Sequence, residues 1–94
     1  MGIEHKILFE GATSIDLDRL LRAESSFVEF KPQYGSYEFR SKGSSKDSMP
    51  DAEARIETNG LYFCDYGGEG SRILANLINT LSAHYGKIEK REYE

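Results

Sequence analysis

The sequence predicts an α+β domain, a two-layer sandwich in which two helices cover one face of an antiparallel-rich sheet of five or six strands. Two observations predict it. Several short stretches alternate apolar and polar residues, as half-buried strands do, and two longer stretches repeat leucine or isoleucine at helical spacing. A chain of 94 residues supports one hydrophobic core, so we expect residues 1–94 to form a single domain.

The order of the predicted elements narrows the topology. We predict strands at residues 3–9, 27–31, 36–40, 53–58 and 61–66, helices at residues 14–24 and 71–85, and an edge strand or frayed end within residues 87–94. This order, with one apolar side on each helix, favours a ferredoxin-like arrangement or an elaboration of it. Ser14 and Ser71 are the expected N-caps, because a serine oxygen can accept a hydrogen bond from a free amide of the first turn.

One polar stretch separates the two halves of the chain. Residues 41–52 contain glycine, proline and several serines but few side chains that can anchor them in a core. This composition predicts a flexible loop, and a surface loop is favoured over a functional lid.

The strongest local signal is the dipeptide Asn59-Gly60 between two strand-like runs. Such a pair favours a type I′ hairpin turn, in which both central residues have positive φ. A two-residue turn would place Thr58 opposite Leu61 and Arg55 opposite Cys64. The hairpin would then present two faces. One carries Ile56, Thr58, Leu61 and Phe63, and the other carries Arg55, Glu57, Tyr62, Cys64 and Tyr66.

Charge and cysteine content restrict the partners that we expect. The chain has 12 lysines and arginines and 16 aspartates and glutamates, a net charge of −4. No basic run appears, so neither a nucleic acid nor a membrane is expected as a partner. The acidic surface would attract a basic protein, but mild acidity usually serves solubility alone, and that interpretation is favoured. A single cysteine excludes an internal disulfide and suits a reducing compartment, so we expect a cytoplasmic protein.

A glycine-rich segment, residues 67–72, precedes the second helix. Backbone amides of such a loop, together with a helix N-terminus, can hold an anion. The candidate residues are Gly68, Gly70, Ser71 and Arg72. The spacing matches neither the P-loop nor the dinucleotide fingerprint, and Glu69 places a negative charge where a phosphate would sit. A plain connection to the helix is therefore the favoured interpretation.

The sequence shows no catalytic or metal-binding constellation. Cys64 would need a nearby base to act as a nucleophile, and no known spacing joins it to His5 or His84. The same three residues lack the spacing of a zinc site. We therefore expect no catalytic residues, no metal and no cofactor.

Two surfaces stand out as candidates for binding. The sheet face turned away from the core should carry Tyr62, Tyr66, Arg55, Glu57 and Phe27, a mixture of aromatic and charged groups found at interfaces. Tyrosines also suit exposed strands for structural reasons alone. The second surface is an uncharged side of the second helix, which either contacts another chain or is covered within the monomer. Its residues are Ala75, Asn76, Asn79, Thr80, Ser82 and Ala83.

From these features we expect a small, acidic, non-catalytic protein-interaction module, such as an inhibitor, an immunity-type protein or an adaptor. Its partner would be another protein or a second copy of the chain. The alternative is a regulatory domain that binds a small anionic ligand at residues 67–72.

Overall fold

The computed structural model describes residues 2–41 and 49–92 and confirms an α+β architecture. Its elements are β1 Ile3–Leu8, α1 Ser14–Ala23, β2 Phe27–Lys31, β3 Ser36–Phe39, β4 Ala52–Glu57, β5 Gly60–Asp65, α2 Gly70–Tyr85 and β6 Glu89–Glu92. The six strands form one antiparallel sheet in the order β2-β3-β4-β5-β1-β6. Strands β2 to β5 follow one another as neighbours, and β1 is placed between β5 and β6.

The core lies between the two helices and one face of the sheet. Leucines and isoleucines at helical spacing point from α1 and α2 towards alternate residues of the strands. The completely buried large side chains include Phe39, Phe63, Leu21 and Leu77. We call this side of the sheet the helix face and the opposite side the outer face.

Both helices begin differently from the prediction. Thr13 caps α1, because its hydroxyl oxygen accepts a hydrogen bond from the Asp16 amide at 3.1 Å. The N-cap of α2 is Glu69, which makes no side-chain capping bond. Ser71 lies one residue inside that helix, and its hydroxyl donates instead to Asp65 at 3.0 Å.

The β4–β5 hairpin has a different register from the predicted one. Arg55 lies opposite Tyr62, and Ile56 lies opposite Leu61, so the pairing is shifted by two residues. The turn residues are Thr58 and Asn59. No described residue other than glycine has positive φ, so the predicted type I′ turn is wrong.

Strand β1 explains the shift of the hairpin. Gly60 belongs to β5, where it pairs with Glu57 on one side and with Leu8 of β1 on the other. A Cβ at position 60 would overlap the carbonyl oxygen of Ile7. The glycine therefore serves the close approach of a third strand rather than the turn. A shift of two residues keeps every side chain on its predicted face.

The predicted loop at residues 41–52 is described only at its ends, because residues 42–48 lie outside the described residues. Asp51 is held in place by two backbone hydrogen bonds. Its amide donates to the Phe39 carbonyl at 3.0 Å, and its carbonyl accepts from the Tyr66 amide at 2.9 Å. Ala52 is already the first residue of β4 and is buried.

Strand β6 pairs with β1 at one edge of the sheet. All four of its residues are charged and exposed. Charged side chains discourage the pairing of an edge strand with another chain, which fits the predicted edge position of this segment.

Candidate functional site

Neither helix covers the outer face, and Tyr62 forms its centre. The Tyr62 hydroxyl donates to Glu4 Oε2 at 2.7 Å, which joins β5 to β1. The Arg55 guanidinium lies 5.2 Å from the centre of the Tyr62 ring. This contact follows from the register, because Arg55 and Tyr62 are directly opposite each other on β4 and β5.

Tyr66 forms a second group on the same face. Its hydroxyl donates to Glu53 Oε1 at 2.8 Å, and the Ser36 hydroxyl donates to the other oxygen of the same carboxylate. Arg55 Nη2 lies 3.4 Å from Glu53 Oε1 and links this group to Tyr62. Hydrogen bonds and one cation–π contact thus connect residues of four strands.

Both tyrosines are held as neutral hydrogen-bond donors. The pKa of Tyr62 is raised, mainly because the residue is partly buried and secondly because its hydroxyl donates to Glu4. The pKa of Tyr66 is raised for the same two reasons in the same order, partial burial and then the hydrogen bond to Glu53. Neutral phenols that donate to carboxylates fix the orientation of their rings, so this surface has a defined shape before any partner binds.

Glu57 lies apart from the tyrosines, at the end of the hairpin. It is half-buried, and its Oε1 is a buried atom that forms no hydrogen bond with the described part of the chain. It therefore does not belong to the linked group around Tyr62 and Tyr66.

Phe27 lies on the helix face, which corrects its predicted position on the outer face. Its ring is 6.2 Å from that of Phe39 in an edge-on contact and 6.3 Å from that of Tyr37. The register of β2 shifts between Phe27 and Glu29, so simple alternation does not hold along this strand. Phe27 is consequently a partly buried residue that packs against the core, and it does not belong to the candidate surface.

The glycine-rich segment satisfies its own amides with carboxylates of the chain. The Gly67 amide donates to Asp65 Oδ1 at 2.8 Å, and the Glu69 amide donates to Asp51 Oδ2 at 2.9 Å. Ser71 also donates to Asp65, as described above. A bound anion would have to compete with these carboxylates for the same donors.

The remaining anion-site candidates serve the local structure. Arg72 Nε lies 2.8 Å from Glu69 Oε2, so its charge is paired. Gly68 has a φ of 56°, a left-handed conformation that glycine adopts without strain, so the turn before α2 explains its presence. A Cβ at Gly70 would overlap Asp65 Oδ1, so this glycine makes room for the carboxylate. The structure brings the four candidate residues together but offers no specific observation that favours an anion.

Cys64 and the two histidines are separated. Cys64 is buried on the outer face, where a Cβ at Gly2 would overlap its Sγ. His5 is buried on the helix face, and His84 is in the last turn of α2. Within residues 2–41 and 49–92, no three histidine, cysteine or acidic side chains lie close enough to hold a metal ion.

The uncharged side of α2 is directed to solvent. Thr80 is half-buried, with its hydroxyl donating to the Asn76 carbonyl at 3.0 Å. The other members of this side, Ala75, Asn76, Asn79, Ser82 and Ala83, are exposed. Packing within the monomer therefore does not cover them, which removes one of the two explanations considered from the sequence.

Glu4 and Glu53 are members of the outer-face cluster that the sequence analysis missed. Neither belongs to a motif, and each accepts a hydrogen bond from a tyrosine on another strand. The correct strand register would have found them, because it places Glu4 and Glu53 on either side of Cys64, the residue between Tyr62 and Tyr66 on the same face.

Neither described helix is long and apolar enough to cross a membrane. Comparisons of the chain with protein-family models, with curated proteins and with solved structures found no match in any of the three.

Proposed function

We propose that the protein is a non-catalytic protein-interaction module that binds a basic protein through its outer face. The observation that carries this proposal is the linked group of Tyr62, Arg55 and Tyr66 on a sheet face that neither helix covers. Tyrosine and arginine are enriched among the residues that contribute most to protein–protein binding.

Preorganisation supports the proposal. The side chains of this group hold one another in place, as their hydrogen bonds to Glu4 and Glu53 show. A partner would lose little free energy in ordering them, because their rotamers are already restricted. Tyr62 and Tyr66 are half-buried, so part of each residue remains accessible.

Charge supports a basic partner over other proteins. The net charge of −4 attracts positively charged molecules at long range. Glu4 is exposed and accepts from Tyr62 through Oε2, and a carboxylate can accept several hydrogen bonds, so Glu4 can also bind a lysine or arginine of a partner. Such contacts raise the association rate and make binding sensitive to salt.

Site-specific photo-crosslinking tests this surface. A photoreactive phenylalanine analogue would replace Tyr62, and in a matched variant it would replace Tyr34, which is 67% exposed in the β2–β3 turn. We expect a discrete crosslinked protein from position 62 alone, in extracts of the organism that makes this chain. Equal products from both positions, or none from position 62, would contradict the proposal.

A double variant tests the energetics once the crosslinked partner is purified. Tyr62→Ser with Tyr66→Ser should weaken binding by at least about 100-fold, or about 2.8 kcal/mol, because tyrosines that dominate an interface cost about 2 kcal/mol or more each when truncated. Tyr34→Ser should leave the affinity unchanged, and higher salt should weaken the unmodified complex. A homodimer that dissociates in the double variant would instead make a second copy the occupant of this face.

The proposal also covers the topology of the fold and the location of the protein in the cell. We propose that the fold elaborates the ferredoxin-like arrangement, because leaving out β3 and β4 gives the order strand, helix, strand, strand, helix, strand with β1 beside β5. We also propose a cytoplasmic location, because a single cysteine suits a reducing compartment.

A further inference from the structure

Charged side chains of the outer face form rows that run across the strands. The register places each residue of a row directly opposite the next. From β2 to β6, one row is Lys31, Ser36, Arg55, Tyr62, Lys6 and Arg91. The neighbouring row, two residues away along each strand, is Glu29, Glu38, Glu53, Cys64 and Glu4. Every charge is positive in the first row, which we call the cationic row, and negative in the second, which we call the acidic row.

The cationic row is the more accessible of the two. The carboxylates of Glu38 and Glu53 are used within the chain, by an ion pair with Lys31 at 3.1 Å and by the hydrogen bonds described above. The side chain of Arg55 is 48% exposed and that of its partner Glu53 is 14% exposed, and the values for Lys31 and Glu38 are 36% and 10%. Of the acidic row, only the two end residues are exposed. A molecule that approaches Tyr62 therefore meets mainly positive charge.

Lys6 is the member of this row whose charge the described part of the chain does not balance. The residue is exposed, and it takes part in no ion pair among the described residues. Arg91 lies directly opposite it on β6, and like charges opposite each other on neighbouring strands lower stability. A carboxylate beside Lys6 would relieve this repulsion. Burial of Lys6 in an interface without such a carboxylate would be costly, because a desolvated charge needs a partner.

The net charge and the cationic row act at different distances. Salt screens exposed charges beyond about 8 Å at physiological ionic strength, so the net charge of −4 influences the approach of a partner and local charges decide the contact. Lys6 and Arg55 lie on either side of Tyr62, two strand spacings or about 10 Å apart. Both side chains are long, so carboxylates placed over Tyr62 can pair with either of them.

A protein segment suits this row better than a nucleic acid does. The exposed ends of the acidic row, Glu4 and Glu29, lie beside the cationic row. They would repel a continuous chain of phosphates, as would the net charge. A protein segment can place carboxylates over the cations and a basic side chain beside Glu4.

We propose that the partner of the outer face contacts the cationic row through an acidic segment that crosses the strands over Tyr62. This inference rests on the proposed function and adds the chemistry of the contact. Carboxylates of the partner pair with Lys6 and Arg55, and a basic side chain of the partner pairs with Glu4. The partner is basic as a whole, and its contact segment is acidic.

Two blocked peptides test the row without the partner. Tetraglutamate and tetralysine, each acetylated and amidated, would be titrated into isotope-labelled protein at low salt. Tetraglutamate should shift the amide signals of Lys6, Arg55 and Tyr62, and tetralysine should not. The net charge alone predicts the opposite, binding of tetralysine only. No shift at these three amides with tetraglutamate at about ten millimolar would refute the cationic row as a binding surface. Stronger binding of an oligothymidylate of equal charge would refute the preference for a protein segment.

Two lysine variants test the contact at Lys6. Lys6→Gln and Lys90→Gln each remove one exposed lysine from the edge formed by β1 and β6. Lys90 lies opposite Ile7, a buried core residue, and therefore on the helix face. Lys6→Gln should weaken tetraglutamate binding by about threefold or more, and Lys90→Gln by less than about twofold. Equal effects would show a general attraction by net charge and would contradict the assigned contact.

The photo-crosslinking experiment at position 62 separates this inference from the proposed function. In a Lys6→Glu background the yield of the crosslinked partner should fall by at least about fivefold, because the new carboxylate faces the acidic segment. Lys90→Glu makes the same change of net charge on the other face and should leave the yield within about twofold. A higher yield in Lys6→Glu would show a basic contact, which refutes the acidic segment and leaves the proposed function intact. If position 62 gives no product at all, the protein partner is refuted, and the tetraglutamate titration alone decides the cationic row.

Discussion

Gly60 provides the sharpest test of the hairpin register. In Gly60→Ala, the new Cβ would overlap the carbonyl oxygen of Ile7 and lie 2.9 Å from its carbonyl carbon and 3.1 Å from Leu8 Cα. Carbon atoms in contact prefer separations of about 3.5–4.0 Å, so β1 must move away from β5. The φ of 153° at this position is also one that side-chain-bearing residues rarely adopt.

The expected cost follows from these contacts. The backbone conformation costs about 1–2 kcal/mol for alanine. Separating the strands at Leu8 and Gly60 weakens about two backbone hydrogen bonds, at about 1 kcal/mol each. Gly60→Ala should therefore lower the free energy of unfolding by about 3–4 kcal/mol, a large part of the 5–15 kcal/mol typical of a domain.

Urea denaturation measures this loss, followed by circular dichroism because the chain has no tryptophan. Gly35→Ala is the matched control. Gly35 has a φ of 62° with nothing within 4 Å of its Cβ position, so its substitution should cost only the backbone term, about 1–2 kcal/mol. If Gly60→Ala loses no more stability than Gly35→Ala, the close approach of β1 to β5 is wrong.

Three further predictions concern titration and access. The pKa of Asp18 is lowered below 3.8, first by the hydrogen bond from Tyr37 and second by the one from Arg22. The ionised carboxylate therefore stabilises the folded state above pH 3.8, and this contribution is lost as the pH falls through the folded-state pKa. Asp18→Asn should accordingly flatten the acid side of the stability–pH profile, and an unchanged profile would contradict this contact. Burial and, second, the hydrogen bond to Asp18 raise the pKa of Tyr37 to about 12. The neutral phenol therefore stabilises the folded state fully below pH 10, and this contribution is lost as the pH rises through about 12. Tyr37→Phe should remove one ultraviolet titration step near pH 12, and a titration curve that keeps this step would show that another tyrosine produces it. Cys64 is 3% exposed beneath Gly2, so a thiol reagent should modify it at least about 100-fold more slowly than in the unfolded chain, whereas equal rates would show that this region opens freely.

The candidate site was predicted in part. The alternation of apolar and polar residues predicts Arg55, Tyr62 and Tyr66 on one face. The structure confirms that placement, because Arg55 pairs with Tyr62 and the Tyr66 hydroxyl donates to Glu53. Glu4 and Glu53 escaped prediction because their roles depend on which strands are neighbours. That information is not contained in the pattern of a single strand.

The glycine-rich segment shows a second limit of sequence reasoning. Its composition is compatible with an anion site, and only the structure shows that Asp51 and Asp65 accept hydrogen bonds from its amides. Asp65 is close in sequence and could have been considered, because aspartate often binds an amide two residues later. Asp51 is 18 residues away from Glu69, and nothing local indicates the contact.

What the sequence by itself determined was the type of each element, its approximate bounds and the face on which most side chains lie. These properties depend on periods of two and 3.6 residues, which are local. Only the tertiary structure decided the hairpin register, the position of Phe27 and the strand order. Each depends on contacts with distant segments. Strand β1 lies so close to β5 that position 60 has no room for a Cβ, and Phe27 packs against Phe39 of β3. Local patterns fix the orientation of a side chain within a strand, whereas packing between strands selects the register among those that keep the same faces.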